Sequence, residues 1–178
     1  NSPNRIMRLI LSILVLISTS LSAQILQPVK WSYKAEQTTP GEATLILKAT
    51  IEKGWHLYSQ NIADGGPIKT SFTFNPSADY ELVGKVTEGK AIEFYDKNFE
   101  MNLAYFANEA TFKQKVKLKS NKAIKIAGGV EFMVCDDEKC LPPEFIEFAI
   151  EIKGAKAEVK EAAVADTPGV TPPTPLVT

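Results

Sequence analysis

Residues 42 to 51, Glu-Ala-Thr-Leu-Ile-Leu-Lys-Ala-Thr-Ile, put Ala43, Leu45, Leu47, Ala49 and Ile51 at every second position. Only an extended strand gathers such a set on one face, because side chains alternate with a period of two in a strand and 3.6 in a helix. The period returns in Val29, Trp31 and Tyr33, in Phe72 and Phe74, and in Phe99, Met101, Leu103 and Tyr105. It returns again in Ala110, Phe112, Val116 and Leu118, and in Phe148, Ile150 and Ile152. Turn-forming groups separate the runs, among them Thr39-Pro40-Gly41, Gly65-Gly66-Pro67, Asn75-Pro76 and Gly128-Gly129. No window keeps a helical period over three turns, so the expected fold is all-β. About seven to nine short strands with one polar and one apolar face imply two antiparallel sheets packed as an immunoglobulin-like sandwich. The longest stretch without alternation, Gly84 to Asn98, is expected to be a connecting loop. It carries two aromatics, Phe94 and Tyr95, which either pack beneath the loop or cover something.

The two ends of the chain differ from this middle. Arg5 and Arg8 precede an apolar run from Leu9 to Leu21 that closes on Ser20-Leu21-Ser22-Ala23, the three-part form of a secretory signal peptide spanning residues 1–23. The run is shorter than the ~20 residues that cross a bilayer and is diluted by Ser12, Ser18, Thr19 and Ser20. Asn1 cannot initiate translation, so Met7 is the expected natural start. Residues 154–178 shift to Ala, Pro, Val and Thr and end in Thr-Pro-Gly-Val-Thr-Pro-Pro-Thr-Pro-Leu-Val-Thr, an expected semi-extended linker. Residues 24–153 then form one domain of ordinary length. Removing the two arginines of the signal segment from 20 basic residues leaves 18 against 21 acidic, so no nucleic-acid partner is expected.

Both cysteines, Cys135 and Cys140, lie in Phe-Met-Val-Cys-Asp-Asp-Glu-Lys-Cys-Leu-Pro-Pro-Glu-Phe, residues 132 to 145. Val130 to Cys135 and Leu141 to Ile152 read as adjacent strands joined by Asp136-Asp137-Glu138-Lys139, so the cysteines face each other across a hairpin mouth. Opposed residues of an antiparallel pair have Cβ atoms about 4.5–5.5 Å apart, and local twist brings them into disulfide range. As a staple the bond is weak, because closing a loop of about six residues contributes roughly 2 kcal/mol of chain entropy against ~3 for fifteen. A metal site needs four ligands, and the chain offers two thiols, the single histidine His56 and carboxylates; neither metal nor other cofactor is expected. A Cys-His hydrolase is no better supported, since His56 sits in the strand-like Trp55-His56-Leu57-Tyr58. Thiol-disulfide exchange needs only two thiols that can close on each other. Asp136 and Asp137 beside Cys135 oppose its thiolate, whereas Lys139 beside Cys140 favours one, which makes Cys140 the expected nucleophile.

Val-Cys-Asp-Asp-Glu-Lys-Cys-Leu-Pro-Pro, residues 134 to 143, resembles the redox-active hairpin in the N-terminal periplasmic domain of the DsbD family of thiol:disulfide interchange proteins. Lys-Gly-Trp-His-Leu-Tyr-Ser (53 to 59) and Glu-Phe-Tyr-Asp (93 to 96) are similar to further pieces of that domain. The resemblance implies a periplasmic immunoglobulin-like domain, tethered to the inner membrane in a full-length protein. It implies electrons received from a thioredoxin-like domain or a membrane-embedded reductase domain C-terminal to residue 178. Periplasmic disulfide isomerases and cytochrome c maturation factors would receive them. It implies that Cys140 forms the mixed disulfides and Cys135 resolves them. A capping loop with Glu93, Phe94 and Tyr95 would cover the disulfide, with His56 and Tyr58 around it. Four residues separate the cysteines here, against about five in the best-studied members. Ile92 stands where the family carries an acidic residue, which leaves Glu93 as the carboxylate expected near the thiols. The rival from another class is an extracytoplasmic binding module whose hairpin disulfide is structural. Redox potential separates the two, since structural disulfides of secreted proteins lie below about −300 mV.

Overall fold

The computed structural model describes residues 26–97 and 99–154; the expected signal peptide and, apart from Gly154, the expected linker lie outside the described residues. Eleven strands run through these residues, every pair antiparallel. They are β1 (Val29–Thr39), β2 (Glu42–Ile51), β3 (His56–Tyr58), β4 (Ser71–Phe74), β5 (Tyr80–Glu88) and β6 (Ile92–Asp96). The series continues with β7 (Met101–Ala107), β8 (Glu109–Leu118), β9 (Ile124–Phe132), β10 (Val134–Cys135) and β11 (Glu144–Ile152).

The strands form three sheets, in the orders β1-β2-β8-β5, β11-β9-β4 and β10-β3-β7-β6. One core is shared by all three. Leu45, Leu47 and Phe112 come from the first sheet, Ile126, Val130, Phe148 and Ile150 from the second, and Leu57, Phe106 and Val134 from the third. Each side chain buried this fully contributes roughly 1.5–3 kcal/mol. The second and third sheets are joined by the chain itself, which passes from β9 into β10 through Met133. This is the immunoglobulin-like antiparallel sandwich that the alternation requires, with one layer divided in two.

Two expectations are corrected. The stretch Gly84 to Asn98 is not one loop: it holds the end of β5 and all of β6, and β6 pairs with β7 from Ile92↔Tyr105 to Asp96↔Met101. The register of β5 slips by two residues between Val83 and Thr87, around Gly84 at φ 69°, so this part of the strand leaves its ladder with β8. The hairpin ladder also ends farther from the cysteines than expected, since β9 stops at Phe132 and β11 starts at Glu144. Pro142 and Pro143 have no N–H to give a ladder, so pairing lapses there.

Candidate functional site

The two cysteines are bonded to each other, with Cα atoms 4.0 Å apart, and form an isolated antiparallel bridge at the mouth of a tight turn. Asp136 builds the turn. Its N–H donates to the Lys139 carbonyl (2.9 Å), and its Oδ1 accepts the N–H groups of Glu138 (2.9 Å) and Lys139 (2.8 Å). This is the use to which short carboxylates are best suited in turns. Those two backbone bonds, with Lys139 and His56 nearby, hold the Asp136 carboxyl below its ordinary range. Beyond the bridge, the Leu141 N–H donates to the Val134 carbonyl (2.9 Å). The Lys139 ammonium stands 5.9 Å from the centre of the Trp55 ring, a cation–π distance that holds it beside the turn.

The sulfurs are unequal. Cys135 belongs to β10, paired opposite His56 of β3, and is 2% exposed. Cys140 lies outside any strand and is exposed. Cys135 packs with Tyr58, Ile62 and Leu103 in a small cluster separate from the main core, and Phe94, Phe99, Met101, Tyr105 and Met133 close around it. Alternation explains the division. Val134, Leu57 and Phe106 face the main core, so Cys135, His56, Tyr58 and Tyr105 face away from it.

On that face three aromatic groups enclose the histidine. The His56 ring lies 4.7 Å from Tyr105, 5.5 Å from Tyr58 and 6.1 Å from Phe94, and Phe94 meets Tyr105 edge-on at 4.8 Å. Burial lowers the His56 pKa, opposed by the charges of Asp137, Asp96 and Asp136. The Tyr58 hydroxyl is 3.3 Å from the Cys135 Sγ and 3.5 Å from Asp96 Oδ2. Burial above all, and Asp96 beside it, push the Tyr58 pKa up, so it remains a hydroxyl. Tyr58 is fixed from behind: its carbonyl accepts the buried Thr70 hydroxyl at 2.6 Å, and the next residue's N–H bonds the Ala104 carbonyl at 2.9 Å.

Of the residues expected around the disulfide, His56, Tyr58, Phe94 and Tyr95 line one open hollow of about 380 Å³ together with Cys135 and Cys140. Phe94 is half-buried and packs on the Cys135 cluster, while Tyr95, at 59% exposure, stands at the rim. Glu93 is not among them. Glu93 instead lines two neighbouring hollows with Asn61 and Ala104, one of which Phe94 and Tyr95 also border. The β6 carboxylate that lines the disulfide hollow is Asp96, on the same face as Phe94, buried and accepting the Phe99 N–H on Oδ1 at 3.2 Å. Asp96 and Tyr105 were not singled out from the sequence. The Glu-Phe-Tyr-Asp run contained Asp96, and placing the run on a strand rather than in a loop would have put Asp96 beside Phe94. Among the described residues no three His, Cys, Asp or Glu side chains converge to hold a metal ion.

The sequence profile of the N-terminal region of the thiol:disulfide interchange protein DsbD matches residues 22–151. The chain belongs to that family. Among solved structures it resembles the reduced N-terminal domain of Neisseria meningitidis DsbD, at 17% identity and TM-score 0.52, covering 76% of this chain and 96% of that one. It also resembles one chain of a complex between the DsbD and PilB N-terminal domains of the same organism, at 15% identity and TM-score 0.50, covering 71% of this chain and 87% of that one. The N-terminal periplasmic domain of ScsB from Proteus mirabilis is a more distant likeness, at 14% identity and TM-score 0.47, covering 72% of this chain and 49% of that one. No curated protein sequence matches the chain. At these identities the structural likenesses speak for the fold, and the family match for a place in thiol:disulfide interchange.

Proposed function

We propose that the domain is a thiol-disulfide exchange module of the periplasm, relaying electrons between thioredoxin-fold proteins or domains. The observation that carries the reading is the inequality of the sulfurs, one exposed on a turn and one buried on a strand. A thiolate must approach along the S–S axis from outside, and only Cys140 is open to it. In the oxidised domain the donor thiolate attacks Cys140 Sγ, the intramolecular bond breaks, and Cys135 leaves as thiolate. The donor's second thiol then displaces Cys140, leaving the domain as a dithiol and the donor as a disulfide. In the reduced domain the Cys140 thiolate attacks an acceptor disulfide, and Cys135 closes on Cys140 to expel the acceptor's second thiolate. No group beyond the two cysteines is required for these steps.

The family match, the signal-peptide form of residues 1–23 and the Pro-rich tail support an exported domain linked to a membrane-embedded reductase. Disulfide isomerases and cytochrome c maturation factors are the proposed acceptors. That a DsbD N-terminal domain forms a complex with a PilB N-terminal domain supports protein partners. Trapping tests the assignment: Cys135→Ser should accumulate a mixed disulfide with a thioredoxin-like protein that lacks its own resolving cysteine, and Cys140→Ser should accumulate little. Equal or reversed yields on non-reducing gels would overturn the assignment of Cys140 as the attacked sulfur.

A further inference from the structure

Among the described residues Asp96 is the only buried carboxylate, at 6% exposure. Burying a carboxylate is unfavourable unless its oxygens are engaged. The β6–β7 turn engages Oδ1, which accepts the Phe99 N–H. Oδ2 is turned to a different task, 3.5 Å from the Tyr58 hydroxyl, whose oxygen is in turn 3.3 Å from Cys135 Sγ. Carboxylate, hydroxyl and sulfur are thus in successive contact, and the sulfur at the end of the series is the one shut off from solvent. A thiol in that position cannot hand its proton directly to bulk water, yet must lose it before it can attack.

We propose that Asp96 takes up the Cys135 proton through the Tyr58 hydroxyl when Cys135 resolves a mixed disulfide, and returns it when Cys135 is released. The inference rests on the exchange function proposed above and adds a positioning residue to it. In the mixed disulfide the partner sulfur is bonded to Cys140 Sγ. The Cys135 proton passes to the Tyr58 oxygen as the Tyr58 proton passes to Asp96 Oδ2, leaving a thiolate and a carboxylic acid. The thiolate attacks Cys140 Sγ, the bond to the partner breaks, and its electron pair leaves on the partner sulfur. The cysteine pair is oxidised and the partner reduced by two electrons. In the opposite direction Cys135 leaves as a thiolate and recovers its proton along the same series. Tyr58 suits the task because its surroundings keep it a hydroxyl, able to give one proton while taking another. The other titratable groups facing the series are His56 on β3, Tyr105 on β7, Tyr95 and Lys97 beside Asp96, and Asp136, Asp137, Glu138 and Lys139 of the turn.

The test needs no protein partner, so a domain that never exchanges with a thioredoxin-fold protein would fail the proposed function without deciding this inference. Stopped-flow mixing of the reduced domain with dithiobis(nitrobenzoate) releases one coloured thiolate when Cys140 attacks and a second when Cys135 displaces the remaining group. In Asp96→Asn the first release should keep its rate, while the second slows about 100-fold at neutral pH, the low end of what a positioned base contributes. The second release should then climb about tenfold per pH unit between about pH 6 and 9, where the native protein changes little, because solvent must now deprotonate Cys135. Asn keeps an oxygen for the Phe99 N–H, so the turn is preserved. Tyr58→Phe, which leaves the carboxylate in place, should show the same second-phase loss and carries the test alone if Asp96→Asn folds poorly. A second phase with native rate and native pH profile in Asp96→Asn, or in a Tyr58→Phe that must stand for it, overturns the proposal. So does a second phase lost in His56→Gln and kept in Asp96→Asn, which would give the role to the imidazole.

Discussion

Phe94→Ala asks whether the ring guards the disulfide or merely packs. Phe94 is half-buried, meets Tyr105 edge-on at 4.8 Å and lies 6.1 Å from His56. Truncating a fully buried Phe costs about 3–5 kcal/mol, so a half-buried one with one good edge-to-face contact should cost about 2 kcal/mol. That lowers the melting temperature, unlike the neutral change a true loop residue would give. It also raises the unfolded population by about 30-fold, yet for a domain of ordinary stability that population stays below roughly 1%. Alkylation through global unfolding is therefore limited to about 1% of the rate of a free thiol. Cys140 is exposed already, so removing the ring should leave its alkylation almost unchanged. Cys135 shares a cluster with Phe94, and its native-state alkylation should accelerate well beyond the unfolding limit. The assay is iodoacetamide labelling of the reduced domain at low temperature, with the two cysteine sites quantified separately by mass spectrometry. If the melt falls by the expected amount while Cys135 labelling stays at the native rate, the ring is a packing residue and the guarding role is wrong.

Two further outcomes follow from the same geometry. Burial holds the folded His56 pKa below its ordinary 6.5. As pH falls below that value the unfolded chain takes up the proton first, so this contribution to stability is present above about pH 6.5 and is lost as pH falls through the folded value. Urea midpoints measured from neutral pH downward should decline more steeply in the native protein than in His56→Gln, and identical slopes would refute the burial argument. Reduction of Cys135–Cys140 should leave one cooperative melt, lowered by no more than roughly 10 °C, because a six-residue loop contributes only about 2 kcal/mol. Loss of cooperative unfolding on reduction would instead make the disulfide a structural staple.

The sandwich was legible where a strand has one wet and one dry face. β8 alternates from Ala110 to Leu118 without a break in burial, even though buried Gln114 stands in the apolar series. Its amide is accommodated by donating to the Val83 and Lys115 carbonyls at 3.2 and 2.8 Å. β6 was illegible for the opposite reason: the face that carries Phe94 has Ile92 exposed at one end and Asp96 buried at the other. Hydropathy is there inverted with respect to burial, and no periodicity can report it. The cysteine hairpin was legible because adjacent strands and a four-residue polar turn bring its ends together. Which β6 carboxylate lines the disulfide hollow was not, since that depends on the parity of β6, and treating the segment as a loop discarded parity altogether.

Neighbouring charge makes the two cysteines unequal, and the fold adds a second inequality by topology. Met133 is where the chain leaves one sheet for another, so Cys135 enters as a strand residue with its side chain held toward the Tyr58 cluster by the pairing with His56. Further along, Pro142 and Pro143 prevent the return strand from forming until Glu144, which keeps Cys140 outside the ladder. Closing the turn through Asp136 then requires the two sulfurs to meet across that boundary, one against the Tyr58 cluster and one toward solvent. Charges on exposed turn residues are screened at physiological ionic strength, whereas access set by a strand edge is not. Exchange at Cys140 would therefore persist at high salt, and any reversal of the cysteine roles would need the β10–β3 pairing to open.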